Sequence, residues 1–107
     1  MKPIDLAVTP AQRDIVTQVL RNIVPQHHAR AFGSRVRQEP EKANLKRHAD
    51  LDIALSGPPL ESHQMFILRH AFSESDLPFR VDVSMYDDLP PQWRDCVAWV
   101  DLFTPIS

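Results

Sequence analysis

The chain has 107 residues, of which 43% are hydrophobic and 24% charged, with a formal net charge of −2 and one cysteine. This balance predicts a single globular domain over residues 1–107. The small net charge excludes a global field that would attract nucleic acid, no apolar run approaches the roughly 20 residues of a membrane helix, and one cysteine excludes an internal disulfide. We therefore expect a cytoplasmic protein that contacts no membrane and does not bind nucleic acid directly.

Hydrophobic periodicity divides the chain into alternating helical and extended segments, because helices repeat about every 3.6 residues and strands every second residue. In chain order, the predictions are a helix (10–24), a strand (28–32) that ends at Gly33-Ser34, a polar loop (35–48), a strand (50–55), a helix (60–72), a strand (79–84) and a last helix (about 91–100).

The first and the last of the predicted helices each have a specific sequence signal. Thr9 and Gln12 have the spacing of a capping box, which predicts the start of the first helix. In the last helix, Trp93, Val97 and Val100 recur on one stripe, which we expect to face the core.

The segment 35–48 is basic, with five Lys or Arg residues against two Glu. It is interpreted either as a solvated loop or as a flap whose cations meet a triphosphate, RNA or an acidic partner. Arg35 and Arg37 are the better candidates for a phosphate contact, because they lie beside the Gly-Ser turn.

Three carboxylates recur at one phase of two predicted strands. Asp50 and Asp52 alternate with Leu51 and Ile53, so the two aspartates share one strand face. Asp82 has the same phase in the later strand. If the strands are neighbours, the three carboxylates converge, and a divalent cation such as Mg²⁺ would relieve their mutual repulsion. The alternative is solvated side chains on an exposed sheet face.

The dipeptide Gly33-Ser34 is a second candidate feature. A glycine after a strand permits a tight turn and a close approach of the backbone to a ligand. The following serine offers a hydroxyl and free backbone N–H groups to an anion. The alternative is an ordinary turn.

Taken together, Phe32-Gly33-Ser34-Arg35, then Asp50-Leu51-Asp52, then Arg80-Val81-Asp82 resemble the minimal nucleotidyltransferases of the DNA polymerase β superfamily. Their signature is Gly-Ser, a gap, Asp-x-Asp and a third carboxylate on a later strand. The resemblance covers nearly the whole chain. It implies an α/β fold of the α+β type, with a short mixed β-sheet and helices packed on one face.

The resemblance also implies roles for these residues. Gly33 and Ser34 would hold the β- and γ-phosphates of a nucleoside triphosphate, and Asp50, Asp52 and Asp82 would be the catalytic carboxylates that bind Mg²⁺, with two ions expected. Asp82 would also accept the proton of the attacking hydroxyl. The implied reaction is magnesium-dependent transfer of a nucleoside monophosphate, AMP from ATP, to a hydroxyl with release of pyrophosphate.

The sequence departs from the family pattern in the gap. Fifteen residues separate Ser34 from Asp50, which is longer than usual, and Gln38 and Ala49 stand where a glycine and a serine are common. Either the first carboxylate is set differently or the loop carries an insertion, which loops tolerate at small entropic cost. No metal ligand is lost.

Two functions from different classes follow from the resemblance. In the first, the chain is an antitoxin-like enzyme that attaches AMP to a helical partner with a HEPN fold, within a toxin–antitoxin pair. In the second, it is a non-catalytic binding module that neutralises or scaffolds this partner. A third and weaker reading is modification of a small molecule.

Overall fold

The computed structural model describes residues 4–38, 50–96 and 99–105. In chain order the elements are β1 (Ile4–Leu6), α1 (Pro10–Ile23), β2 (His28–Phe32), β3 (Val36–Gln38), β4 (Leu51–Ser56), α2 (Ser62–Ser73), β5 (Val81–Met85), α3 (Pro91–Cys96) and β6 (Val100–Phe103). Short 3-10 turns follow β2 at Gly33–Arg35 and β5 at Tyr86–Asp88. None of the helices in these ranges is long and apolar enough to cross a membrane.

Helix α1 begins where its capping box predicts. The Thr9 N–H donates to Gln12 Oε1 at 2.9 Å, and the Gln12 N–H donates to Thr9 Oγ1 at 3.1 Å. Pro10 occupies the first turn, where a backbone N–H has no helical partner to lose. Val16 and Leu20 are fully buried one turn apart, so the helix packs by a single apolar stripe.

Four strands form a mixed sheet in the order β5-β4-β2-β6. Strand β2 is antiparallel to both of its neighbours, whereas β4 and β5 are parallel. A parallel pair needs a crossover connection, and α2 supplies it between β4 and β5. This arrangement confirms the predicted fold class.

The core lies on one face of this sheet. Ala29 and Ala31 of β2 and Ile53 and Leu55 of β4 are completely buried, and they belong to one apolar cluster with residues of α1 and α2. Because side chains alternate along a strand, the intervening residues project from the opposite face. Polar side chains that could form a functional site on the sheet are therefore expected on that opposite face.

The prediction for the last helix was wrong in its second half. Helix α3 spans Pro91–Cys96, whereas Val100 belongs to β6, which pairs antiparallel with β2. Val97 lies outside the described residues, and Trp93 is in α3. A short apolar run does not distinguish a strand from a buried helix, and here pairing with β2 decides in favour of the strand.

Strands β1 and β3 form a separate two-stranded ribbon that the sequence did not predict. Ile4 pairs with Gln38 and Leu6 with Val36, so β3 occupies the start of the predicted 35–48 loop. Three-residue strands contain too few residues to show alternation. Residues 39–48 of that loop lie outside the described residues.

Candidate active site

Two of the three predicted carboxylates are direct neighbours across the sheet. In the parallel pair of β4 and β5, Asp52 is in register with Asp82. Leu51 and Ile53, on either side of Asp52, are completely buried on the helix-covered face. Asp52 and Asp82 therefore project from the opposite face, and the predicted adjacency of the two strands is confirmed.

Asp50 lies just outside β4, immediately before the strand begins at Leu51. Its side chain and that of Asp82 are exposed, whereas Asp52 is half-buried. Burial, first of all, and then the negative charges of Asp82 and Asp50 together raise the pKa of Asp52 to about 6. The negative charges of Asp50 and Asp82 therefore make the ionised form of Asp52 less favourable than that of a free carboxylate.

This donor set suits a hard divalent cation. Carboxylate oxygens are the ligands that Mg²⁺ prefers, and both burial and the neighbouring negative charges, which raise the pKa of Asp52, make its ionised form unfavourable without a cation. Within residues 4–38, 50–96 and 99–105, no three His, Cys, Asp or Glu side chains are gathered tightly enough to form a complete ligand set by themselves. The three aspartates therefore fit a magnesium ion by the type of their ligand atoms, and Asp52 and Asp82 also share one face of the sheet.

The Gly-Ser turn follows β2, which pairs with β4 on the side opposite to β5, and it lies against the carboxylate of Asp52. Strand β2 pairs with β4 so that Phe32 is opposite Asp52, and the chain then enters the turn at Gly33. Gly33 has a φ of +85°, and a Cβ atom built on it would overlap the Asp52 carboxylate. Both the backbone conformation and the available space therefore require glycine here.

Arg35 is occupied by contacts within the protein. Its side chain is 5% exposed, its Nη1 donates to the Ala7 carbonyl at 2.7 Å, and its guanidinium lies 3.9 Å from the centre of the Phe79 ring. Burial lowers the pKa of Arg35, and the nearby Asp50 charge opposes that effect. Arg35 therefore fixes the turn to the N-terminal segment, and its predicted phosphate contact stays a prediction.

An aromatic and cationic cluster on the open face was missed by the sequence analysis. The Arg30 guanidinium lies 4.7 Å from the ring centres of both Tyr86 and Trp99. Trp99 also packs against Phe32, with ring centres 5.0 Å apart. Trp99 was interpreted as a residue of the last helix, but it precedes β6 and contacts this cluster instead. Alternation in β2, which puts Arg30 on the face of Phe32, was the available signal.

Comparison with known proteins was made against families and against individual proteins. No family model matches the chain. The chain is 39% identical over 87 residues to the probable protein adenylyltransferase MntA of Haemophilus influenzae, and the match covers 80% of this chain and 72% of that protein. A likeness of this extent covers most of the chain and is much longer than the Gly-Ser and Asp-x-Asp motifs.

Proposed function

The chain belongs to the minimal nucleotidyltransferase family, and on this basis we propose that it is an adenylyltransferase that moves AMP from ATP to a hydroxyl group of a partner protein. The nucleotidyltransferase class follows from the relationship to MntA. The observation that carries the finer proposal is the cross-strand pair of Asp52 and Asp82, which lies beside the glycine turn at Gly33.

In this proposal, ATP binds with its phosphates at the turn after β2. Gly33 lets the backbone approach closely, and the backbone N–H of Ser34 and its hydroxyl are the proposed partners of the β- and γ-phosphates. Arg35 acts first as the residue that holds the turn in place, through the Ala7 carbonyl.

Asp50, Asp52 and Asp82 are the proposed ligands of Mg²⁺. When bound, the metal supplies charge neutralisation at the triphosphate and at the three carboxylates. Support comes from the oxygen-only donor set and from the raised pKa of Asp52. The three carboxylates would hold the cation, whose positive charge would offset the burial and the neighbouring negative charges that raise the pKa of Asp52.

The proposed chemistry is an in-line displacement at the α-phosphorus of ATP. The acceptor hydroxyl oxygen forms a bond to the α-phosphorus while the bond from that phosphorus to the bridging oxygen of pyrophosphate breaks. The hydroxyl proton passes to the carboxylate of Asp82, which is exposed and therefore accessible to an incoming acceptor. Positioning and charge stabilisation account for the rate, because the protein forms no covalent intermediate.

We propose a helical protein of the HEPN type as the acceptor, with this chain as the antitoxin of a toxin–antitoxin pair. This partner comes from the family resemblance. Among the described residues, the large apolar side chain of Phe66 on α2 is 68% exposed, which is consistent with a protein partner.

The test uses labelled ATP and Mg²⁺ with the protein encoded by the neighbouring gene. Transfer of label to that protein is expected, with a decrease of about 100-fold or more in Asp52→Asn and in Asp82→Asn. Asp14→Asn, an exposed aspartate on α1, is the matched control and retains activity.

The alternative of a non-catalytic binding module gives a different result. In that case no label is transferred, and the partner binds Asp52→Asn as tightly as the original chain. Loss of transfer with retained partner binding in Asp52→Asn, in contrast, identifies the carboxylate as part of the catalytic machinery.

A further inference from the structure

A cleft of about 730 Å³ opens along the edge of the sheet, between α2 and β5. β5 is the edge strand of the four-stranded sheet, and Asp82 is among the residues that line the cleft. The other lining residues come from α2, from the segment that leads into β5 and from the start of β5, and they include Phe66, Arg69 and Arg80. The cleft therefore adjoins the proposed proton acceptor at the edge of the sheet.

The order of features across the sheet suggests what this cleft receives. Gly33 follows β2 and lies against Asp52 on β4, and Asp82 lies next on β5. The turn that begins at Gly33, where the phosphates are proposed to bind, and the cleft are thus on opposite sides of the Asp52–Asp82 pair. In-line displacement requires the nucleophile and the leaving pyrophosphate to be on opposite sides of the α-phosphorus. If the pyrophosphate leaves on the side of Gly33, the acceptor enters from the side of the cleft.

The lining combines aromatic surface with positive charge. Phe66 is 68% exposed and its ring stacks on His70, with ring centres 5.9 Å apart, so one face of the aromatic pair is open to a ligand. Arg80 is an exposed residue of the same lining, and Arg69 is exposed while its Nη2 donates to the Val83 carbonyl at 2.9 Å. The lining thus has two arginines against one carboxylate, Asp82, on a chain whose formal net charge is −2.

We propose that the α2–β5 cleft is the docking site for the acceptor segment of the partner protein, and that this segment carries acidic and aromatic residues around the hydroxyl to be modified. The inference rests on the proposed function, because it uses Asp82 as the proton acceptor. Acidic side chains pair with Arg80 and Arg69, aromatic side chains pack on Phe66, and the acceptor hydroxyl reaches Asp82 in the cleft lining.

Docking is tested separately from chemistry in the Asp52→Asn chain, which keeps every residue of the cleft. The probes are fluorescent poly(Glu,Tyr) and poly(Lys,Tyr) copolymers, and binding is followed by fluorescence anisotropy. We expect binding of poly(Glu,Tyr) in preference to poly(Lys,Tyr). Arg80→Glu weakens binding of the acidic polymer by about tenfold, since it reverses the charge that selects the polymer.

Two matched controls accompany these variants. Ile67 is 50% exposed on the same helix and does not line the cleft, so Ile67→Ser leaves binding unchanged while Phe66→Ser weakens it. Arg21 is exposed on α1, so Arg21→Glu makes the same charge change away from the cleft. Circular dichroism confirms that each variant is folded.

The outcomes separate this proposal from the proposed function. Absence of polymer binding by the Asp52→Asn chain, or equal binding by Arg80→Glu and Arg21→Glu, refutes the docking site. Weaker binding of an ATP analogue in Phe66→Ser or Arg80→Glu, with polymer binding unchanged, assigns the cleft to the nucleotide and also refutes it. Selective docking without any transfer of AMP supports the cleft and counts against the proposed reaction alone.

Discussion

Gly33 and Asp52 lie so close together that a side chain on Gly33 would occupy the position of the Asp52 carboxylate. The turn after β2 and the central carboxylate of β4 are therefore positioned as one unit. The positive φ of Gly33 adds a second constraint at the same residue.

Gly33→Ala tests this unit. We expect a loss of about 1–2 kcal/mol in the free energy of unfolding, because alanine disfavours a positive φ, together with a loss of adenylyl transfer that exceeds the loss of folded protein. Urea denaturation and the transfer assay measure the two effects. Gly57→Ala is the control, since Gly57 also has a positive φ but its Cβ would approach His27 and not a carboxylate. Equal activity losses in both variants would contradict a specific role of Gly33.

The raised pKa of Asp52 predicts how the stability of the metal-free protein depends on pH. The pKa of about 6 in the folded chain exceeds the ordinary value of 3.8, so the folded state binds a proton more tightly than the unfolded state does. Stability therefore increases as the pH falls through about 6, and the ionised carboxylate is unfavourable above that pH. In the presence of a chelator, we expect the contribution of Asp52 to the Tm to increase as the pH is lowered from about 7.5 to about 5.

Asp52→Asn removes this titration, so the difference in Tm between the two pH values becomes smaller than in the original chain. Asp14→Asn leaves the difference unchanged. An identical pH profile for Asp52→Asn and the original chain would show that Asp52 is not the group that titrates.

Arg35→Lys distinguishes a structural arginine from a phosphate ligand. The ammonium of lysine does not reproduce the planar group that both bonds the Ala7 carbonyl and stacks on Phe79, so we expect a loss of about 2 kcal/mol in the free energy of unfolding. Urea denaturation measures this loss, and the KM for ATP is determined at a temperature where the variant is folded. A raised KM with unchanged stability would identify Arg35 primarily as a phosphate ligand.

Arg30→Leu tests the cluster on the open face. The substitution keeps apolar packing but removes the guanidinium between Tyr86 and Trp99, and we expect a loss of about 1–2 kcal/mol in the free energy of unfolding. Tryptophan fluorescence follows both the unfolding and the change around Trp99. Arg21→Leu, on the exposed side of α1, should differ from the original chain by less than about 0.5 kcal/mol. Equal stabilities of the two variants would show that the cluster contributes little.

Several features of the site could be predicted from the sequence because they depend on local pattern. The phase of Asp52 between Leu51 and Ile53 determines which face it occupies, and the same holds for Asp82 between Val81 and Val83. The sequence analysis assumed that the two strands are neighbours, and the structure adds their parallel direction, with α2 as the crossover, and the register of Asp52 with Asp82. The catalytic roles of these residues remain predictions.

Other features depend on partners that are distant in sequence. Val100 was assigned to a helix because only pairing with β2 reveals it as a strand residue. Arg35 was interpreted by its proximity to the turn, whereas its contacts are with Ala7, 28 positions earlier in the chain, and with Phe79. Such contacts leave no periodic signal, so single-sequence reasoning has no means to find them.

Strand β6 has a consequence for the order in which the enzyme is assembled. It pairs with β2, which leads into the glycine turn, yet it is the last of the described strands in chain order. During synthesis from the N-terminus, all three aspartates leave the ribosome before the residues that complete the sheet beside β2. The nascent chain therefore carries the aspartates proposed as catalytic before the sheet beside β2 is complete, and we expect the proposed adenylyl transfer to begin only after Phe103 has emerged.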